Sequence, residues 1–116
     1  MSDSIEMLSK LLDATALRQK VIANNLANVN TPNFKRMDVR FKDALARAVQ
    51  AGGSAGVSGV VPTVVQDNQS VCRPDGNNVT LQREIGEMAE NSLLYQFSAK
   101  AVTLKFEGIR KAVRGR

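Results

Sequence analysis

The chain has 116 residues and a formal net charge of +5, enough for one small domain but not for several. It contains no histidine and a single cysteine, Cys72, which excludes metal sites built from histidine or several cysteines, disulfides within the chain and serine–histidine triads. With no tryptophan, one tyrosine and four phenylalanines, helix packing must supply most of the core.

The first 31 residues are predicted to form one long helix. Apolar residues, interrupted by two polar ones, recur at alternating spacings of three and four, which is typical of a helix that packs along a single seam. The seam comprises Ile5, Leu8, Leu12, Thr15, Gln19, Ile22, Leu26 and Val29. A helix of about 26 residues is roughly 40 Å long, and Pro32 disfavours its continuation at Thr31.

Residues 23 to 34, ANNLANVNTPNF, contain five asparagines, although asparagine favours caps and turns over helix interiors. One interpretation ends the helix inside this stretch and assigns the amides to a turn. The other continues the helix and places Asn24, Asn25 and Asn28 on one flank beside the seam. We favour the second interpretation, in which these amides set the register between neighbouring subunits. The turn out of the helix then consists of Asn30, Thr31, Pro32, Asn33 and Phe34. Asn33, the fourth residue of this turn, tolerates a left-handed backbone conformation.

Residues 32 to 79 are predicted to form a short β or irregular segment between two helices. Met37, Val39 and Phe41 alternate with charged residues, which is the pattern of a short strand, and residues 42 to 51 favour a short helix.

The second half of this middle segment begins with AGGSAGVSG, residues 51 to 59, which has the composition of a flexible linker. Residues 60 to 66 and 70 to 73 are expected to pair as a small hairpin. PDGNN, residues 74 to 78, indicates a turn before the last helix.

Residues 80 to 116 are predicted to form a second long helix, about 34 residues and roughly 50 Å in length. Thr80 is suited to cap its start, and Glu84, Glu87 and Glu90 match the positive end of the helix dipole. The main seam comprises Leu81, Ile85, Met88, Ser92, Tyr95, Ala99, Val102, Phe106, Ile109 and Val113. A second apolar line, about 100° around the helix, comprises Leu94, Phe97, Ala101 and Leu104.

These elements predict a mainly α fold, in which the long N- and C-terminal helices pair as a coiled-coil-like core around a small middle segment. Because one partner helix cannot cover both apolar lines, we expect the chain to assemble with neighbouring subunits. The ends of the helices are expected to become fully ordered only on assembly. The residues predicted to pack or to mediate assembly are Ile5, Leu8, Leu12, Ile22, Asn24, Asn25, Leu26, Asn28, Val29, Leu81, Ile85, Met88, Leu94, Tyr95, Phe97, Val102, Phe106 and Ile109.

The stretch RQKVIANNLANVNTPNFKR closely resembles the N-terminal signature of the bacterial flagellar rod and hook family, A-N-N-[IL]-A-N-x-N-T-P-G-[YF]. The match runs from Ala23 to Phe34, with Asn33 where many members carry glycine. The short chain, the stretch FKRMDVRF and the stretch DGNNVTLQREIGEMAENSLLYQ resemble the proximal rod proteins of that family. Thr80 stands where aspartate is common, and both residues can cap a helix.

The resemblance implies a structural subunit of the proximal rod of the flagellar basal body, needed for motility. No convergent acid–base set is visible in the sequence, so we also expect no enzymatic activity, cofactor or metal. It also implies export through the flagellar type III apparatus without a cleaved signal peptide, and a place in the periplasmic rod near the inner membrane. The implied partners are other rod subunits, further copies of this chain and the junction protein that joins the rod to the MS ring.

Two alternatives from other classes are a soluble coiled-coil adaptor and a small basic nucleic-acid-binding protein. The basic residues Arg110, Lys111, Arg114 and Arg116 complement the negative end of a helix dipole, and they would also suit an acidic partner, a membrane surface or nucleic acid. The cluster lacks the aromatic residues that stack on bases, and no apolar stretch of the chain is long enough to span a membrane. We therefore expect neither nucleic acid nor a transmembrane segment.

Overall fold

The computed structural model describes residues 2–50 and 59–115. Its elements are α1 (Ser2–Ala27), β1 (Met37–Arg40), α2 (Lys42–Gln50), β2 (Thr63–Gln66) and α3 (Leu81–Arg114). The mainly helical fold with a small β segment is confirmed, as are the strand and the short helix that follow the first turn. Most of the predicted linker, residues 51 to 58, lies outside the described residues.

The two long helices pack side by side in antiparallel directions and form a thin molecule with extents of 64 × 27 × 14 Å. Two cross-contacts set their register. Asn25 near the end of α1 bonds Glu84 near the start of α3, and Asn91 donates its amide to the Thr15 carbonyl at 2.8 Å. Residues closer to the N-terminus of α1 therefore lie beside residues closer to the C-terminus of α3.

The first helix ends at Ala27, so the prediction that it continues through Val29 to residue 31 is wrong. The Asn28 N–H is shared between the carbonyls of Asn24 and Asn25, at 3.2 and 3.1 Å, and Val29 bonds back only three residues, to Leu26. The Asn28 side chain also donates to the Asn24 carbonyl at 2.9 Å. Side-chain and short-range backbone bonds thus replace the helical ladder at this point.

Strands β1 and β2 pair antiparallel, with Met37 opposite Gln66 and Arg40 opposite Thr63. The predicted hairpin between residues 60–66 and 70–73 is therefore wrong. After β2 the chain turns around Asp67, whose carboxylate accepts the N–H groups of Gln69 and Ser70 at 2.9 and 3.0 Å. That turn directs the chain away from β2, so residues 70–73 do not form a strand.

A small apolar core lies where the start of α2 meets the middle of α1. Ala14, Phe41 and Val60 are buried there, and Leu11 and Leu45 pack against them. This contact fixes the sheet and α2 to one side of the helix pair.

The face of α3 that lies deepest is not the predicted seam. The fully buried positions repeat every seven residues at Glu84, Asn91 and Ser98, whereas the seam members Leu81, Ile85, Tyr95, Phe106 and Val113 are exposed. The seam members Met88, Ser92, Ala99, Val102 and Ile109 are half-buried. The seam is rotated by roughly 60° from the buried line. The rotation brings the Glu84 carboxylate into contact with Arg36, a buried arginine of the middle segment. This ion pair is the physical reason for the rotation.

The ends of α3 lie close to their predicted positions. Thr80 occupies the N-cap position in an extended conformation, but its side chain makes no capping hydrogen bond. Gly115 ends the helix in the left-handed conformation, with φ of 71°, as is common for glycine after a helix.

Candidate assembly surfaces and the polar centre behind them

The side chain of Arg36 is 1% exposed and forms the middle of a buried ionic cluster, which we call the polar centre. Its Nε lies 2.7 Å from Oε1 of Glu84, and its Nη1 and Nη2 lie 3.1 and 3.0 Å from carboxylate oxygens of Asp67 and Glu87. Glu84 is itself fully buried. One guanidinium therefore joins the turn after β2 to the first two turns of α3.

The charges of the polar centre stabilise one another. Burial alone disfavours the charged form of Arg36, but the hydrogen bond and charge of Glu84, with those of Asp67 and Glu87, outweigh it, and the pKa of Arg36 is raised. The Ser70 hydroxyl, two backbone N–H groups and Arg36 together hold the pKa of Asp67 well below its ordinary value, against the effect of burial. Arg36 and Asp67 are thus both charged at neutral pH.

Asn25 completes the polar centre from α1. Its amide donates to the Met37 carbonyl at 2.9 Å and to Oε2 of Glu84 at 3.2 Å, and its oxygen accepts the Met37 N–H at 2.9 Å. The side chain thus bonds to β1 as a neighbouring strand would. It ties α1, β1 and α3 together at one point.

The two turn motifs of the sequence meet beside this centre. The Asn77 amide donates to the carbonyls of Asn28, Val29 and Thr31 at 2.8, 3.1 and 2.9 Å, so it caps the end of α1 from the turn before α3. Asn78 accepts the Arg36 N–H at 2.6 Å. The segment TPNF is therefore held by DGNN and not by α1 alone.

Gly76 and Asn33 are the tightest contact between the two turns. Both have left-handed backbones, with φ of 83° and 62°, and the Asn33 N–H donates to the Asp75 carbonyl at 2.8 Å. A Cβ at position 76 would lie 2.3 Å from Oδ1 of Asn33. The left-handed conformation predicted for Asn33 is confirmed, and glycine is required opposite it.

The asparagines of α1 do not form one flank available to other subunits. Asn25 is fully buried within the chain, so its predicted role between subunits is wrong. Asn28 is half-buried and bonds locally, to Asn24 and to the Thr31 hydroxyl. Asn24 is exposed, as are Asn30, Thr31 and Pro32. The amide pattern mainly ends the helix and holds the middle segment.

The predicted packing residues separate into two groups. Those of α1 are turned toward the interior of the molecule: Ile22 is buried, and Ile5, Leu8, Leu12 and Leu26 are half-buried. Those of α3 include large exposed side chains: Phe97 is 67% exposed, and Tyr95 and Phe106 are also exposed. Leu104, from the predicted second apolar line, is 55% exposed, and Leu93, which was not predicted, is exposed as well. Of the remaining members, Leu94 is half-buried. The candidate assembly surface therefore lies on α3.

Comparison with known proteins decides the family. The family model described as flagella basal body rod protein matches residues 12–35. The flagellar basal body rod protein FlgB of Borrelia hermsii is 30% identical, with 96% of this chain and 96% of that protein covered. FlgB of Aeromonas hydrophila is 32% identical over 90% of this chain and 87% of its own, and FlgB of Bacillus subtilis 27% over 98% and 95%. The chain belongs to the FlgB family of flagellar basal-body rod proteins.

Membership of the FlgB family supports a structural role in the basal-body rod, a location in the flagellar basal body and assembly with other rod components. None of the helices in residues 2–50 and 59–115 is long and apolar enough to cross a membrane.

Four residues central to this FlgB-family fold, Arg36, Glu84, Asn77 and Asn78, were absent from the predicted site. DGNN was interpreted only as a turn, and Glu84 only as a partner of the helix dipole. The available signal was Arg36, the second residue after the TPNF turn, because a charged side chain placed between two turn motifs needs a partner when both motifs pack inward.

Proposed function

We propose that the chain is a structural subunit of the proximal rod, which assembles with copies of itself and with other rod subunits through α1 and α3. One observation carries the proposal: α3 presents large apolar residues to solvent over most of its length, while the polar centre holds the subunit together without them. Exposed apolar surface of this extent is typical of interaction sites. The proposed role is therefore structural.

The most prominent part of this surface is the outer line, which we define as Leu93, Phe97 and Leu104. These residues lie within roughly 40° of one another on the side of α3 that faces away from α1. A single neighbouring helix can cover such a line, as in helix bundles. We propose that the outer line contacts an adjacent rod subunit.

The same proposal includes the remaining features implied by family membership. The chain is exported by the flagellar type III apparatus without signal-peptide cleavage and occupies the periplasmic rod near the inner membrane. Its partners are other rod subunits and the protein that joins the rod to the MS ring. Mass spectrometry of the subunit from purified basal bodies checks its N-terminus and its presence there.

The test is complementation of a strain that lacks the gene. Deletion is expected to abolish swimming and to leave no hook or filament attached. The double variant Phe97→Glu/Leu104→Glu should fold and be exported but should not restore swimming, because it places two carboxylates at the contact with the neighbouring subunit. Val71→Glu is the matched control, because Val71 is 92% exposed and lies in the loop before α3, outside the outer line.

Circular dichroism of the purified double variant separates a folding defect from an assembly defect. The proposal fails if the deletion strain swims normally, or if the double variant restores swimming as well as the control does.

A further inference from the structure

The last part of α3, residues 97–114, carries five cations against one carboxylate, Glu107. We call it the distal segment; it is about 27 Å long. Its cations are Lys100, Lys105, Arg110, Lys111 and Arg114. Among the described side chains, none of the five forms an ion pair, although nine pairs form elsewhere in the molecule. The distal segment thus carries a net charge of +4, and none of its cations is paired with a described carboxylate.

In a second copy of this chain, six of the ten carboxylates whose side chains are described already form ion pairs. Four of its carboxylates surround Arg36 in the polar centre, Glu90 faces Arg18 and Lys42, and Asp75 faces Arg73. Outside the distal segment, the described carboxylates without an ion pair are Glu6, Asp13 and Asp43, spread over α1 and α2. Two distal segments placed side by side would repel each other.

The apolar residues of the distal segment lie on two opposite sides. Phe97 and Leu104 face away from α1, while Phe106 and Val113 lie roughly 180° around the helix, and all four are exposed. A flat membrane surface can bury only one side of a helix that lies in its plane. This distribution favours protein neighbours that enclose the segment.

We propose that the distal segment docks an acidic helical surface of a protein other than this chain, and that its charge keeps copies of this chain apart at that end. The inference rests on the proposed role as a rod subunit and specifies which contacts of that subunit are between unlike proteins. Apolar residues supply the area buried in the contact, and the cations select the partner by their charge.

A charge-reversed form of the same chain serves as the probe. The triple variant Lys100→Glu/Lys105→Glu/Lys111→Glu keeps the apolar residues and presents carboxylates in place of ammonium groups. In sedimentation equilibrium at about 0.05 M salt, the wild type should bind this variant at least about tenfold more tightly than it binds itself. At about 0.5 M salt the difference should fall below about twofold.

Two controls accompany the measurement. The variant Lys20→Glu/Arg40→Glu reverses two exposed cations outside the distal segment and should bind the wild type no more tightly than the wild type binds itself. Circular dichroism of the triple variant checks that it keeps its helicity, because Lys111 lies in the last turn of α3, where a carboxylate is less favourable than an ammonium group.

Three results would overturn the inference. The first is that the wild type associates with itself as tightly as with the triple variant, and the second is that the mixture of wild type and triple variant does not associate at all. The third is that the wild type binds phosphatidylserine vesicles as tightly as it binds the triple variant.

Complementation distinguishes failure of this inference from failure of the proposed function. If the deletion strain swims, the proposed function fails. If deletion abolishes swimming and the triple variant restores it, only the docking of an acidic partner is wrong.

Discussion

The two ends of α3 differ in how they use charge. In its first turns Glu84 and Glu87 bond Arg36, and the helix is fixed to both the sheet and α1 through Asn25. In the distal segment five cations have no such partner among the described side chains, and four large apolar side chains are exposed. The comparison teaches that the stability of the subunit is concentrated at one end of the helix, whereas the other end is available for contacts outside the chain.

The largest effect is expected from removal of the charge at the middle of the polar centre. Arg36→Met leaves a fully buried Glu84 without its main partner, and loss of one member of a buried ion pair costs about 3–5 kcal/mol in the free energy of unfolding. Urea unfolding followed by circular dichroism measures it. Arg40→Met, which replaces an exposed arginine of β1, is the control and should change stability by less than about 0.5 kcal/mol. Equal effects from the two variants would show that the polar centre does not hold the fold.

A smaller effect is expected from the amide that joins α1 to the polar centre. Asn25→Ala removes both bonds to the backbone of Met37 and one to Glu84, so it should lower the free energy of unfolding by about 2–3 kcal/mol. Asn24→Ala, one residue earlier and exposed, should change it by less than about 0.5 kcal/mol. The same urea titration compares them, and a larger loss for Asn24 would contradict the assignment.

The contact between the two turns should give the next effect. Gly76→Ala must accommodate a positive φ and a Cβ placed 2.3 Å from Oδ1 of Asn33, and we expect a loss of about 1–3 kcal/mol. Gly108→Ala, in the distal segment, has no heavy atom within 4 Å of its Cβ and should raise the helicity of α3 instead. Thermal unfolding of both variants tests the comparison directly. Similar losses of stability in both variants would mean that the contact between Gly76 and Asn33 does not constrain the two turns.

The sequence allowed the helices, the first strand and the left-handed Asn33 to be predicted, because periodicity and turn chemistry are local properties. It did not reveal which face of α3 is buried. Glu84, Asn91 and Ser98 are polar, and only the Arg36 guanidinium and the carbonyls of α1 make their burial favourable. The role of Asn25 was missed for the same reason, since its partners are 12 and 59 residues away.

The strand pairing also depended on contacts distant in sequence. Residues 63–66 have the composition of a strand, but nothing local shows that β1 is their partner and that the chain turns at Asp67. The outer line was predicted only in part. Phe97 and Leu104 belong to the predicted second apolar line and are exposed, but Leu94 and Ala101 of that line are half-buried, and Leu93 was not predicted.

Hydrogen exchange along α3 in the isolated subunit tests the central claim most directly. Amides near Glu84 and Asn91 should exchange only through global unfolding. Amides from Lys105 to Arg114 should exchange at least about a hundredfold faster, because none of the described hydrogen bonds or ion pairs joins that end to another element. Protection of the distal amides should then rise when the subunit is incorporated into basal bodies. Uniform protection along α3 in the isolated subunit would contradict the account.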